Sequence, residues 1–238
     1  MRDVLALHCM LAAGAAWRGV QAALPEARLV CPDLPGHGRA PDWDGGHFMD
    51  QALELALAAA PPGALDILGH SYGGCLALRI LVERPERVRS LVLVEPVMFA
   101  AAPPDLRQAQ RAANAPYAAA MAAGDCDGAA RAFTGMWGGG PDWDAMPERQ
   151  RGYIRDRIDL IAASGPGIVE DAHDLLARLP AGPPPVTLVT RTDPPAIVAG
   201  IAEGLATRLP GARTARLGRG HMIPMEAPEA LAGLIRSA

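Results

Sequence analysis

The sequence predicts an α/β protein: a mostly parallel sheet of about six strands, flanking helices and one helical insertion. Two observations carry this reading. Short β-branched or leucine-rich runs alternate with longer Ala/Leu-rich segments, the pattern of strand–helix–strand units. The alternation then lapses once, between about residues 97 and 185, where no strand pattern appears.

In chain order, strands are expected at "VLAL" (Val4–Leu7), "RLVC" (Arg28–Cys31), "LDIL" (Leu65–Leu68), "SLVLVE" (Ser90–Glu95), "VTLVT" (Val186–Thr190) and "RTARL" (Arg213–Leu217). Between them, apolar residues at helical spacing predict helices near Trp17–Leu24, Phe48–Ala59, Gly74–Glu83, Ile197–Leu209 and Pro228–Ser237. Within the lapse, "DLRQAQRAANAPYAAAMAAG", "CDGAARAFTGMW" and "MPERQRGYIRDRIDLIAA" read as helices. Proline clusters, "AAPPD" and "AGPPPV", mark its edges, and "GGGP" at Gly138–Pro141 interrupts its middle. The expected organisation is a core of residues 1–96 and 186–238 with a helical cap, 97–185, inserted in it.

Composition narrows the function classes. A chain of 238 residues that is 50% hydrophobic can fill a sizeable core. Its net charge of -4 is spread without a basic run, so neither nucleic acid nor a membrane surface is an expected partner. The opening "MRDVLALHCML" has too brief an apolar run for a signal peptide or a membrane span, and a cytoplasmic location is the expectation. Cys9, Cys31, Cys75 and Cys126 form no CxxC pair and read as reduced thiols. The sequence contains no lysine, which excludes Schiff-base and P-loop lysine chemistry.

The chemistry centres on "DILGHSYGGCLALRI", where an apolar run stops at Ser71 between Gly69 and Gly73 before the chain turns helical. A G-x-S-x-G turn holds serine in a strained backbone conformation, and its glycines let strand and helix approach closely. The flanks supply the strand and helix that the motif requires. The helix that follows aims its first amides at the site, which makes the backbone N–H of Tyr72 a candidate oxyanion donor.

With these residues the chain resembles the α/β-hydrolase superfamily, in particular compact cap-bearing members such as carboxylesterases and enol-lactone hydrolases. "LHCMLAAGAAW", "CPDLPGHGRA" and "GRGHMIPMEAPEAL" also look like that family. The resemblance implies the α/β-hydrolase fold and a base, His221, in the loop after the last strand. Two carboxylates stand just past strand ends as candidates for the acid, Asp193 in "VTLVTRTDPPAI" and Glu95 in "LVLVEPVMF". Asp193 is favoured, because one helix and one strand separate it from His221 as in most relatives. Some relatives place the acid where Glu95 stands, and the order Ser…acid…His fits both. The resemblance assigns the second oxyanion donor to the backbone N–H of Met10. Cys9 occupies a position where the family normally has glycine, and the departure concerns the geometry of that loop.

The implied activity is hydrolysis of a small, mostly apolar carboxylic ester or lactone through an acyl-enzyme on Ser71. Carbon–carbon or thioester hydrolysis with the same triad, and a silent binder of a small hydrophobic ligand, are the alternatives. A serine nucleophile argues against the aspartate-dependent dehalogenase and epoxide-hydrolase branches. Met98, Phe99, Trp137, Trp143, Met146 and Tyr153 are expected to supply the pocket. His8, His37, His70 and Asp33 are expected to fix motif loops. No cofactor is implied, and His47 and His173 stand isolated with no metal-ligand spacing, so no metal site is expected.

Overall fold

The computed structural model describes residues 2–137 and 142–237, so the interruption Gly138–Pro141 lies outside the described residues. In chain order it comprises β1 (Arg2–Leu7), α1 (Arg18–Ala23), β2 (Ala27–Val30), α2 (Phe48–Ala59), β3 (Leu65–His70), α3 (Tyr72–Glu83) and β4 (Val88–Val94). A helical stretch follows: α4 (Pro104–Ala113), α5 (Ala115–Ala122), α6 (Cys126–Trp137), α7 (Glu148–Arg155), α8 (Asp159–Ile168) and α9 (Leu175–Arg178). The chain ends with β5 (Val186–Thr190), α10 (Ala196–Arg208), β6 (Arg213–Arg216), α11 (Ile223–Glu226) and α12 (Pro228–Arg236).

The six strands form one sheet in the order β2-β1-β3-β4-β5-β6, and every neighbouring pair is parallel. A sheet of this kind is covered on both faces, because each crossover lays a helix against it. Alternate side chains of one strand therefore enter different cores. Leu5 and Leu7 of β1 join Ile67, Leu91, Leu93 and Leu188 in a large cluster with α2, α3 and α10. Val4 and Ala6 join Leu68, Val92, Val94 and Val189 in a second cluster, closed by Trp17 and by Leu231 and Ile235 of α12. The carboxylate of Asp66, buried in β3, is matched by Arg2, Arg89 and the hydroxyl of Ser90.

Between β4 and β5 the described residues contain helices and no strand. Tyr117, Ala129, Ala130, Trp143, Met146, Ile154 and Ile158 make a small core of their own there. Val97, Met98, Ala101 and Ala102 at the start of this stretch, and Leu160, Ile168 and Leu175 towards its end, are instead buried in the main cluster. The helical stretch is thus sewn into the sheet's packing at both ends.

The sheet reverses direction of growth between β1 and β3, and the loops leaving their C-terminal ends diverge around a crevice, the usual place for a ligand in an open α/β sheet. Two glycines set how tightly that crevice is built. A Cβ on Gly73 would lie 2.1 Å from the carbonyl oxygen of Leu7, and one on Gly69 would lie 2.4 Å from that of Gly73. Both obstacles are backbone atoms, so no side chain can rotate away. Gly73→Ala is expected to cost at least about 2 kcal/mol by overpacking, read as a lower urea midpoint at unchanged slope. Gly135→Ala in α6, where a new Cβ meets nothing within 4 Å, is expected to be neutral or stabilising.

Candidate active site

Ser71 sits at the junction of β3 and α3 with φ 55° and ψ -117°, a conformation that a serine adopts only when its surroundings impose it. Those surroundings are the close glycine packing and a bond from the Ser71 N–H to the Val94 carbonyl, 2.9 Å. Tyr72 opens α3, so its N–H has no intrahelical acceptor.

The loop after β1 faces this turn and is shaped by two neutral histidines. His8 donates Nδ1–H to the Cys9 carbonyl (2.7 Å) and accepts the Leu34 N–H at Nε2 (3.0 Å). His37 repeats the pattern, donating to the Pro35 carbonyl (2.8 Å) and accepting the Leu11 N–H (2.9 Å). A carbonyl only accepts, so Nδ1 carries the proton in both rings. Burial lowers both imidazole pKa values, that of His37 to about 4, and keeps these rings uncharged. Asp33 completes the frame by accepting the N–H groups of Gly14 (2.7 Å) and Arg39 (2.9 Å). The left-handed residue of this loop is Leu11, φ 62°, while Cys9 is not among the positive-φ residues. The loop therefore does not need glycine at Cys9. Burial pushes the Cys9 thiol up to about 12, which leaves it protonated and unreactive at neutral pH.

His221 lies in the loop between β6 and α11. Glu226 accepts the N–H groups of Arg219 and Gly220, both at 2.9 Å, and so folds this loop back on itself. His70 holds it from below, donating Nε2–H to the His221 carbonyl at 2.8 Å. Burial, with a further contribution from the His221 ring, depresses the His70 pKa to about 3, so this donor stays neutral. The His221 ring packs 5.3 Å from the Trp137 ring and donates Nδ1–H to Oε2 of Glu95 at 2.6 Å. That tautomer leaves Nε2 free to accept a proton.

Glu95 is the first residue past β4, turned out of the strand at φ 42° and 1% exposed. Burial alone would raise its pKa. Hydrogen bonds from His221 and Arg191 outweigh that effect and bring it down to about 2. Arg191 donates its backbone N–H (2.8 Å) and Nε (2.9 Å) to Oε1 and its Nη2 (2.7 Å) to Oε2. The carboxylate is thus ionised and saturated.

Ser71, His221, Cys9, Met10 and Tyr72 all line one cavity of about 670 Å3. The expectation for the acid is corrected: the carboxylate hydrogen-bonded to His221 is that of Glu95, whereas Asp193 is exposed in the loop beyond β5. The difference is one of approach, since β4 adjoins the serine strand β3 and β5 lies one strand further out. Of the expected pocket residues, Phe99, Trp137 and Met146 line the cavity. Three do not. Met98 is buried in the main core, Trp143 in the small helical core, and the Tyr153 hydroxyl is tied to the Ala12 carbonyl at 2.9 Å. Arg191 was not singled out in the sequence, where the only signal was a basic residue directly after an apolar strand. His47 and His173 are not isolated either: they meet beside Asp50, outside this cavity wall.

Comparison with known proteins agrees with this architecture. The sequence profile of the alpha/beta hydrolase fold family matches residues 4–228, and the chain belongs to that family. Lipase LipV of Mycobacterium tuberculosis is 31% identical over 98% of this chain and 92% of its own length. A pimeloyl-[acyl-carrier protein] methyl ester esterase of Serratia marcescens is 40% identical over 93 residues, 39% of this chain and 36% of that protein. Among solved structures, a hydrolase from Pseudomonas aeruginosa superposes with a TM-score of 0.74 at 24% identity, over 99% of this chain and 89% of that one.

The Glu95 cluster also sets a pH limit. A carboxyl whose folded pKa lies below its unfolded value stabilises the fold above the unfolded pKa, and that contribution fades as pH falls towards the folded one. For Glu95 the window runs from 4.5 down to about 2. Arg191→Gln removes the guanidinium that hydrogen-bonds this carboxylate, so its acid-unfolding midpoint, followed by circular dichroism, is expected to move to higher pH than in wild type.

Proposed function

We propose that the chain is a serine esterase in which Ser71, His221 and Glu95 act as nucleophile, base and acid. The observation that carries this reading is one cavity shared by a strained serine, an imidazole whose Nδ1–H is held by an ionised carboxylate, and the turn residues Tyr72 and Met10. The names of the relatives, a lipase and a methyl ester esterase, support ester bonds as the target.

In this mechanism His221 Nε2 takes the Ser71 hydroxyl proton as Oγ bonds to the ester carbonyl carbon. The carbonyl π pair moves to oxygen, and the N–H groups of Tyr72 and Met10 receive the resulting negative charge, each such donor being worth about 10²–10³ in rate by precedent. Collapse expels the alkoxide, which leaves with the proton returned by His221. Water then repeats the sequence on the acyl-enzyme, releasing the acid and restoring Ser71. Glu95 stays ionised throughout, fixing the imidazole tautomer and stabilising the imidazolium.

The substrate is a small ester or lactone whose acyl chain meets the apolar wall formed by Phe99, Trp137, Ile161 and Ile168. The helices between β4 and β5 serve as the cap that shapes this wall. Arg107 and Arg111, one turn apart on α4, line the same cavity without a carboxylate partner among the described residues. They favour a polar or anionic group at the distal end of the substrate. Arg107→Gln should accordingly lower kcat/KM more for monomethyl adipate than for methyl hexanoate; equal losses would remove this part of the reading.

The test of the mechanism is turnover of p-nitrophenyl butyrate with pre-steady-state resolution. Wild type is expected to show a burst of p-nitrophenol, Ser71→Ala no turnover above background, and Glu95→Gln a loss of about 10²–10⁴, in line with removal of a triad acid elsewhere. Asp193→Asn is expected to stay within about twofold of wild type, as for a surface position away from the chemistry. Wild-type rates in Ser71→Ala would overturn the proposal.

A further inference from the structure

Away from the serine, the start of α2 and the loop after α8 bring His47, Asp50 and His173 together. Each offers one ligand atom, and the three atoms lie within 4.8 Å of one another. His47 is the cap residue of α2 and Asp50 lies in its first turn, three residues on, so the two share one side of the helix. His173 arrives from a turn fixed by Asp171, whose carboxylate accepts the N–H groups of Leu175 (2.8 Å) and Leu176 (3.0 Å). The imidazoles meet edge-on at 4.4 Å, and His173 Nε2 lies 3.0 Å from Asp50 Oδ1.

Both ring nitrogens of His47 and Nδ1 of His173 are buried and have no hydrogen-bond partner. Buried polar atoms are nearly always paired, so three in one spot need an explanation. A neutral imidazole always has one nitrogen without a proton, and a bound cation would accept its lone pair. Two imidazoles and a carboxylate at this spacing suit zinc, nickel or copper, whereas calcium and magnesium take oxygen ligands.

We propose that His47, Asp50 and His173 bind one divalent transition-metal ion of the zinc class, with a fourth position left to water. The competing charge is Arg79, whose Nη2 is 2.6 Å from Asp50 Oδ1 and whose Nε is 2.9 Å from Glu83. Glu83 keeps that guanidinium matched, and a carboxylate has about four lone-pair sites, so the contact with Arg79 still leaves Asp50 able to ligate a metal. The site would fasten α2, which packs on the sheet, to the segment that follows α8, a helix whose Ile161 and Ile168 form part of the catalytic cavity. The two helices already pack tightly, since a Cβ on Gly167 would lie 2.7 Å from Met49 Cε.

The experiment uses untagged protein stripped by a chelator and titrated with Zn²⁺, and in parallel with Co²⁺. The proposal predicts one zinc per chain, a thermal midpoint that rises with zinc concentration, and a cobalt visible spectrum without thiolate charge-transfer bands. His47→Gln and His173→Gln should each weaken zinc at least about tenfold, since even outer partners of a metal ligand are worth that much. Both variants should retain p-nitrophenyl butyrate turnover, which separates this site from the esterase reading. Zinc binding absent in wild type, or undiminished in either variant, overturns the proposal. Should a variant fail to fold, X-ray absorption of zinc-loaded wild type decides instead: two imidazole scatterers support the site, and sulfur ligation, as through the exposed Cys126, contradicts it.

Discussion

An ionised carboxylate enclosed in protein needs opposite charge and hydrogen bonds on every side, and this requirement organises the site. Glu95 is clasped by Arg191 through backbone and guanidinium and by His221 through Nδ1–H, and it retains its charge despite burial. Take away the guanidinium, and part of what offsets burial is lost: the Glu95 pKa would rise and the negative charge opposite His221 would be held less firmly. Buried ion pairs of this kind are weak contributors to stability in general, because desolvation offsets their attraction. The structural use of the Glu95 cluster is orientation.

That orientation reaches the serine only because the backbone is drawn in tightly. Gly69 and Gly73 let β3, α3 and the end of β1 approach until their carbonyls would collide with any Cβ. Ser71 is held at positive φ above this packing, and its N–H is bonded to the last residue of β4, the strand from which Glu95 emerges. The His70 bond to the His221 carbonyl adds a tie from the serine strand to the imidazole loop. One set of neighbouring strand ends therefore holds the serine, the imidazole and the carboxylate in register, and of the four histidines around it, His8, His37, His70 and His221, the one lining the cavity is His221.

Local pattern made Ser71 and His221 legible in the sequence, since each stands in a short motif whose glycines and flanking elements announce its backbone geometry. The carboxylate was a different problem. Glu95 and Asp193 both follow apolar strands and both precede His221, so the decision rests on which strand lies beside β3 and on how the chain leaves it, neither of which is a local property. Arg191 was hidden for the same reason. Pocket residues fared unevenly because apolar character does not tell cavity lining from packing: Trp137 faces the imidazole, while Trp143 fills the small helical core. His173 and Asp50 are 123 residues apart, beyond any spacing rule for metal ligands.

The measurement that tests the central claim most directly is the rate at which a fluorophosphonate labels the protein, with the adduct located by peptide mapping. Such a probe reports the nucleophile and its activation without requiring the natural substrate. The account predicts labelling of Ser71 alone, slowed strongly by Glu95→Gln and left near the wild-type rate by Asp193→Asn. An adduct elsewhere, or slowing by Asp193→Asn with Glu95→Gln unaffected, would contradict it.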